Sequence, residues 1–382
     1  MSVASQIDTP ERLALRATVR RFTEQEVVPN LGRWEREGEV PRSLHRSAAA
    51  AGLLGVGFPV AVGGEGGDLV DALVVTEELI TAGGSSGLVA ALMTHGIALP
   101  HILAADDARQ VGRWVRPTLA GDLIGSLAVT EPGGGSDVGA LRTTARREGD
   151  HYIVDGAKTY ITSGTRADFI TTAVRTGSAG AQGVSLLVIE RGTPGLTVSE
   201  PLAKTGWLCS DTAELSFAGC AVPAGNLVGA EGTGFAQIAQ HFQAERISLA
   251  VQAYATAQRC LDLTLAWVRQ RETFGRPLVS RQVVRHTLVG MRSRIDVART
   301  FTRDLALRVA TGEEDIGAVC VAKSTACEAC DWVVHQAVQL HGGVGLMRES
   351  EVDRHARDSR ILSIGGGATE VMTDLAARRW GW

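Results

Sequence analysis

The chain has 382 residues, with 38 Lys and Arg against 42 Asp and Glu, a net charge of -4. At about 150 residues per domain this length suggests two or three domains, and the near-neutral balance gives no electrostatic drive toward a phosphate backbone, so no nucleic-acid partner is expected. Only three of the bases are lysines, Lys158, Lys204 and Lys323; the Arg-heavy usage reads as genomic bias that locates no site. Six cysteines in a chain of this length do not make a disulfide framework. Cys327 and Cys330 form a CxxC within a helical pattern that lacks a second ligand pair, so a packed helix face is expected and no metal.

At the N-terminus there is no apolar signal core, and Asp8 and Glu11 break the acid-poor pattern of an organelle leader, which leads to the expectation of a cytoplasmic protein. From Thr9 to Leu119 the text is Ala- and Leu-rich, with helical spacing over Pro10 to Val27 and Ser43 to Ala51 and Gly-rich turns at 63–67 and 83–87. The uncharged stretch from Leu79 to Ala105 is interrupted by Gly83, Gly84, Gly96 and Pro100, so it reads as buried helices rather than a membrane span. The period then changes. His151 to Val154, a turn at Asp155-Gly156, Lys158 to Thr162, Phe169 to Val174, Val184 to Ile189 and Ala213 to Phe217 are short β-branched or aromatic runs. Beyond Gly234 the helical period returns, with Ile247, Ala250, Val251, Tyr254, Ala257, Leu261, Leu265 and Val268 on one stripe, and further helices over 280–311 and 315–340. The expectation is an α+β fold: a helical domain over 1–119, a β domain over 120–227 inserted as a block, and a helical bundle over 228–382.

Two stretches carry candidate chemistry. In Ala128-Val-Thr-Glu-Pro-Gly-Gly-Gly-Ser-Asp137, three glycines let backbone amides approach a ligand while Thr130 and Ser136 add hydroxyls. The spacing is not that of a dinucleotide-binding fingerprint. In Lys158-Thr-Tyr-Ile-Thr-Ser-Gly164, Tyr160 and Thr162 share one strand face, which equally suits an ordinary cross-strand pair.

Together, and in this order, these segments resemble the acyl-CoA dehydrogenase family, and the resemblance continues through Arg269-Gln-Arg-Glu-Thr-Phe-Gly275, Gln339-Leu-His-Gly-Gly343 and Arg357-Asp-Ser-Arg-Ile361. It implies three domains, extended FAD at a subunit interface, a homotetramer, and oxidation of an acyl-CoA thioester to the trans-2-enoyl thioester, with an electron-transferring flavoprotein as acceptor. By position it puts Leu127, Val129, Thr130, Gly135, Tyr160, Ile161 and Thr162 around the flavin, and Ser136 beside both flavin and thioester. Arg271, Thr273, Phe274 and Gln282, with Gln339, Leu340, His341, Gly342 and Gly343, would hold the pyrophosphate and adenosine. His341 reads as structural or cofactor-edge rather than as a catalyst. Ala368, Thr369 and Glu370 also match cofactor positions.

The reaction needs a base for the α proton and donors for the enolate-like oxygen. Many members carry the Glu shortly after the Arg-Asp motif, where this chain has Gly366, whose N–H can still serve the carbonyl. The long-chain and isovaleryl-type members place it on the first long helix of the C-terminal domain, directly before an Arg. Here that is Glu245-Arg246, making Glu245 the expected base, with Glu370 as the lesser candidate and Gln243, Arg246, Gly366 and Gly367 at the substrate. Gly365 and Ala368 replace a larger Tyr and Thr of many members, which implies a roomy pocket for a branched, cyclic or long acyl group. Three alternatives stay open: the same chemistry on a carrier-protein-bound acyl group, oxidase activity with O₂, and a non-catalytic subunit of a heteromeric flavoprotein.

Overall fold

The computed structural model describes residues 6–382. The first layer holds α1 (Pro10–Phe22), α2 (Leu31–Glu37), α3 (Arg42–Ala50), α4 (Leu69–Thr81), α5 (Ser86–Leu92) and α6 (His95–Ala104). α1 starts where sequence rules put it: Pro10 needs no N–H partner in the first turn, and Thr9 Oγ1 accepts from Arg12 N. α4 opens on a capping box in which Asp68 and Asp71 each accept from the other's backbone region. The apolar run 86–104 passes for a membrane span by composition, yet it breaks at Met93-Thr94 into α5 and α6, and most of it is buried in protein.

The middle of the chain forms a mixed seven-stranded sheet of β1 (Gly125–Ala128), β2 (Thr144–Glu148), β3 (His151–Thr162), β4 (Phe169–Arg175), β5 (Val184–Glu190), β6 (Leu196–Val198) and β7 (Thr212–Pro223). β4 is its centre, pairing parallel with β1 and antiparallel with β5, while β3 pairs antiparallel with β2 and β7. Both faces of β4 and β5 are buried, and their side chains alternate between two cores. Phe169, Ala173, Leu186 and Val188 join Leu99, Ile102 and Trp114 on the helical side. Ile170, Val174, Leu187 and Ile189 join Tyr152, Val154 and Phe217 on the other.

One expectation is corrected here. Asp155-Gly156 is no turn: β3 runs straight through it, with Gly156 at φ +145° and a register shift against β7. A second shift falls between Lys158 and Ile161, where Tyr160 adopts φ +58°. The inserted residues change which side chains face the core, from Tyr152 and Val154 to Thr159 and Ile161.

The last segment comprises α7 (Gly234–Gln270), the hairpin β8 (Glu272–Thr273) and β9 (Arg276–Pro277), α8 (Gln282–Ala310), α9 (Ile316–His341), α10 (Glu351–Ser359) and α11 (Thr369–Arg379). α7 is the axis of the bundle: residues 249–257 are buried all round rather than along one stripe. Its neighbours come from both ends of the chain, since Leu73, Val74 and Leu79 share a core with Ala250, Tyr254, Met291 and Val319. Cys327 and Cys330 are buried on α9, and Cys327 Sγ donates to Leu362 O at 3.2 Å.

Candidate active site

Glu245 stands a third of the way along α7, facing the glycine turn before α11. A side chain built on Gly366 would begin 3.6 Å from Glu245 Oε1 and only 2.5 Å from Leu249 Cδ1. The two positions at which the resemblance allows a base therefore converge on one point. With Leu249 and Glu245 on α7, only glycine fits at 366, and its φ of +66° favours glycine independently. The turn is held from below: Arg246 Nε donates to Gly366 O at 3.1 Å and Lys323 Nζ to Gly367 O at 2.5 Å. Gly366 N–H donates to no group among the described residues.

Among the described residues no hydrogen bond engages the Glu245 carboxylate either, and the residue is half-buried. Burial pushes its pKa up to about 7, against the pull of Arg246 and Lys323. Glu370, by contrast, is exposed on the first turn of α11. Arg246 is buried and lies over the Phe242 ring, and Gln243 is buried with Oε1 unpartnered. Ala368 caps α11, and Thr369 begins it.

The flavin-loop candidates lie after β1. The loop is pinned by Glu131, which accepts from Lys158 Nζ at 2.9 Å and from the N–H groups of Arg142 and Thr143. Burial alone would push the Glu131 carboxyl up, but Lys158 and these donors outweigh it and hold it at about 2. Beyond that anchor, Gly133, Gly134, Gly135 and Ser136 are exposed, and a Cβ on Gly133 or Gly134 would meet nothing. Tyr160 is 69% exposed, while Thr162, Leu127 and Val129 are half-buried. Ile161 differs from the other candidates: its side chain fills the sheet core, leaving only its backbone for a ligand.

At the far end of α7 the β8–β9 hairpin turns on Phe274 and Gly275, both with positive φ. Phe274 is 97% exposed. An aromatic residue in left-handed backbone is uncommon, and both Tyr160 and Phe274 are so held and both present their rings to solvent. Beside the hairpin, Trp267 stacks on His341 at 5.4 Å and donates to Leu340 O, which brings 339–343 against 271–275. His341 is buried, and its Nδ1 lies 2.7 Å from Ala337 O, so the exposed surface here belongs to Gln339, Gly342, Gly343, Gln282 and Arg271, whose guanidinium has no partner among the described residues, with Thr273 half-buried. Strained aromatics, open glycines and a free guanidinium suit a long ligand with an aromatic head and a phosphate.

Profiles of the acyl-CoA dehydrogenase N-terminal, middle and C-terminal domains match residues 9–122, 126–220 and 232–381. The chain belongs to the acyl-CoA dehydrogenase family. The long-chain specific acyl-CoA dehydrogenase of Sus scrofa mitochondria is 35% identical over 97% of this chain and 87% of its own length. A solved structure from Mycobacterium smegmatis assigned to the same enzyme class is 60% identical, covers 99% of both chains and superposes with a TM-score of 0.98. The acyl-CoA dehydrogenase of Geobacillus kaustophilus gives 37% identity and a TM-score of 0.94 over 98% of this chain and 99% of its own. Members of the family are flavoproteins, and this acyl-CoA dehydrogenase is an oxidoreductase acting on CH–CH bonds.

Several residues at the acyl-CoA dehydrogenase site escape sequence reasoning. Leu249 occupies the space that a base at 366 would need. Lys323 is buried between Glu245 and the glycine turn, and Lys158 is wholly buried at the flavin loop. The signal was present in the composition, because two of the three lysines in an Arg-rich chain sit at the site.

Proposed function

We propose that the chain carries out FAD-dependent α,β-dehydrogenation of an acyl-CoA thioester with Glu245 as base. The observation that carries this reading is the meeting of Glu245 and Gly366: a free carboxylate with a pKa near neutrality beside a free backbone donor. In this reading the thioester oxygen accepts from Gly366 N–H, which acidifies the α carbon, and Glu245 removes the α proton. The flavin, when bound, supplies the acceptor for the hydride that leaves the β carbon. Thr130, Gly135, Ser136, Tyr160 and Thr162 would hold the ring system, and Arg271, Thr273, Phe274, Gln282 and 339–343 the pyrophosphate and adenosine.

The apolar side chains left in solvent on α8, Val283, Val289 and Val297, favour a homotetramer in which FAD is completed across an interface. An electron-transferring flavoprotein is the proposed acceptor. A Cβ on Gly365 would contact only Ile361 O, at 3.5 Å. That open space supports a branched or cyclic acyl group. The test is an anaerobic titration of wild type and Glu245→Gln with acyl-CoAs. Wild type should lose its oxidised-flavin absorbance and the variant should bind without bleaching; bleaching by the variant at the wild-type rate would refute Glu245.

A further inference from the structure

The two segments that carry the flavin candidates, the loop after β1 and the stretch 160–162 of β3, are not neighbours in the sheet: β1 pairs with β4, and β3 with β2 and β7. A short set of bonds crosses from one to the other instead. Ser126 Oγ donates to Thr162 O at 2.6 Å, Thr159 N to Thr130 O at 2.9 Å, and Lys158 Nζ to Val129 O at 3.0 Å and to Glu131 Oε1 at 2.9 Å. The Lys158 side chain is wholly buried and that of Glu131 is 10% exposed. Burial pulls the Lys158 ammonium down to about 8 while Glu131 holds it up, so it is mostly charged at neutral pH. A buried ion pair is a poor source of stability, because packed apolar side chains of similar volume often do as well or better. What Lys158 supplies here is direction. In a trans peptide the C=O of one residue and the N–H of the next point opposite ways, so turning Val129 O toward Lys158 turns Thr130 N–H away from it. Thr130 lies beyond the end of β1, and among the described residues neither its N–H nor its Oγ1 is engaged. The same residue therefore presents two donors on the side opposite the lysine.

We propose that Lys158 is the positioning residue that couples the two flavin-holding segments: by drawing Val129 O and the Glu131 carboxylate toward β3, it aims Thr130 N–H and Oγ1 at the flavin. Its consequence is felt in redox poise as well as in affinity. Donors so aimed hold the reduced ring, with its greater negative charge, more tightly than the oxidised ring, and this raises the midpoint potential of the bound cofactor. Thr159 N–H and Ser126 Oγ keep the segments together without the lysine, so its loss tilts the loop rather than detaching it.

This inference rests on the placement of FAD in the dehydrogenase reading, and one experiment separates the two. Apoprotein of wild type, Lys158→Met, Lys158→Gln and the double variant Lys158→Met/Glu131→Gln is titrated with FAD, and the midpoint potential of the bound flavin is measured against a reference dye. Lys158→Met should raise the FAD Kd about tenfold, the equivalent of one net hydrogen bond, and lower the potential. Lys158→Gln, which keeps a donor, should lie between it and wild type. The double variant removes the carboxylate that the single one leaves buried without its cation, so it should regain thermal stability without regaining affinity or potential. Thr130→Ala should cost less affinity in the Lys158→Met background than in wild type, because a misaimed hydroxyl has less to lose. A lysine with a merely structural role would lower the Tm and leave the potential where it was. Should Lys158→Met fail to fold, the double variant and Lys158→Gln carry the same comparison. Affinity and potential unmoved in the Lys158 variants, or regained together with stability in the double variant, overturn the positioning role alone. Wild-type apoprotein that takes up no FAD overturns the placement of the cofactor and the positioning role with it.

Discussion

Glu245 is raised by burial to about 7, which makes its ionisation visible in kinetics. Below that pH the base is protonated, so kcat/KM should fall about tenfold per pH unit, a slope read directly from a pH profile of flavin reduction. The same shift acts on stability with a definite sign. Ionising Glu245 costs more in the folded chain than in the unfolded one, so stability declines as pH rises from the ordinary carboxylate range through 7. Glu245→Gln removes that decline, and the variant should be the more stable protein above pH 7 in denaturant titrations. Lys323 pulls the same pKa down and donates to Gly367 O. Lys323→Met should therefore move the kinetic pKa upward and lower kcat at pH 7 while leaving KM less affected, whereas a merely structural lysine would leave the pH profile in place. Glu245 was legible because Gly366 announced a missing base. Lys323 was not, since a lone lysine in a helical pattern looks like solvated surface until a neighbouring element covers it.

At the scale of elements, the long helices were readable from periodicity, and their observed bounds at 282–310 and 316–341 differ by a residue or two from the expected ones. The exceptions were places where backbone geometry departs from regular structure. Gly156 suggests a turn by composition but makes a bulge, because β7 pairs with β3 both before it, at Val154, and from it onward. The β8–β9 hairpin hides its strain in a Phe-Gly pair where Asn-Gly would be the relaxed choice. Phe274→Asn should consequently stabilise the hairpin by about 1 kcal/mol, the order of the left-handed penalty, while weakening FAD retention. Thermal melts of apoprotein and the flavin content after dilution would check the two halves of that expectation separately.

For the whole molecule, the motif residue Asp358 shows how three segments become one body. Its carboxylate accepts from Trp207 N at 2.6 Å and from Gly87 N at 3.3 Å, joining the bundle to the β segment and to α5. Trp207 Nε1 reaches Ser86 Oγ at 2.9 Å, and a Cβ on Gly206 would strike Arg357 O at 2.3 Å. Sequence could identify Asp358 as part of a motif without saying what it does, since its partners lie 151 and 271 positions away. Asp358→Ala strands two buried N–H groups and should cost about 2–4 kcal/mol, seen as a lower denaturant midpoint even when Glu245 and its surroundings are intact. α7 adds a constraint of another kind. About 39 Å of unbroken helix separate Glu245 from Arg271, and each residue contributes about 1.5 Å and 100°. Removing or adding a single residue between them would swing the Phe274 hairpin a quarter-turn out of line with the base. Length variation among relatives must then gather in the loops outside 245–271, and this stretch sets a fixed ruler against which insertions elsewhere in the family can be aligned.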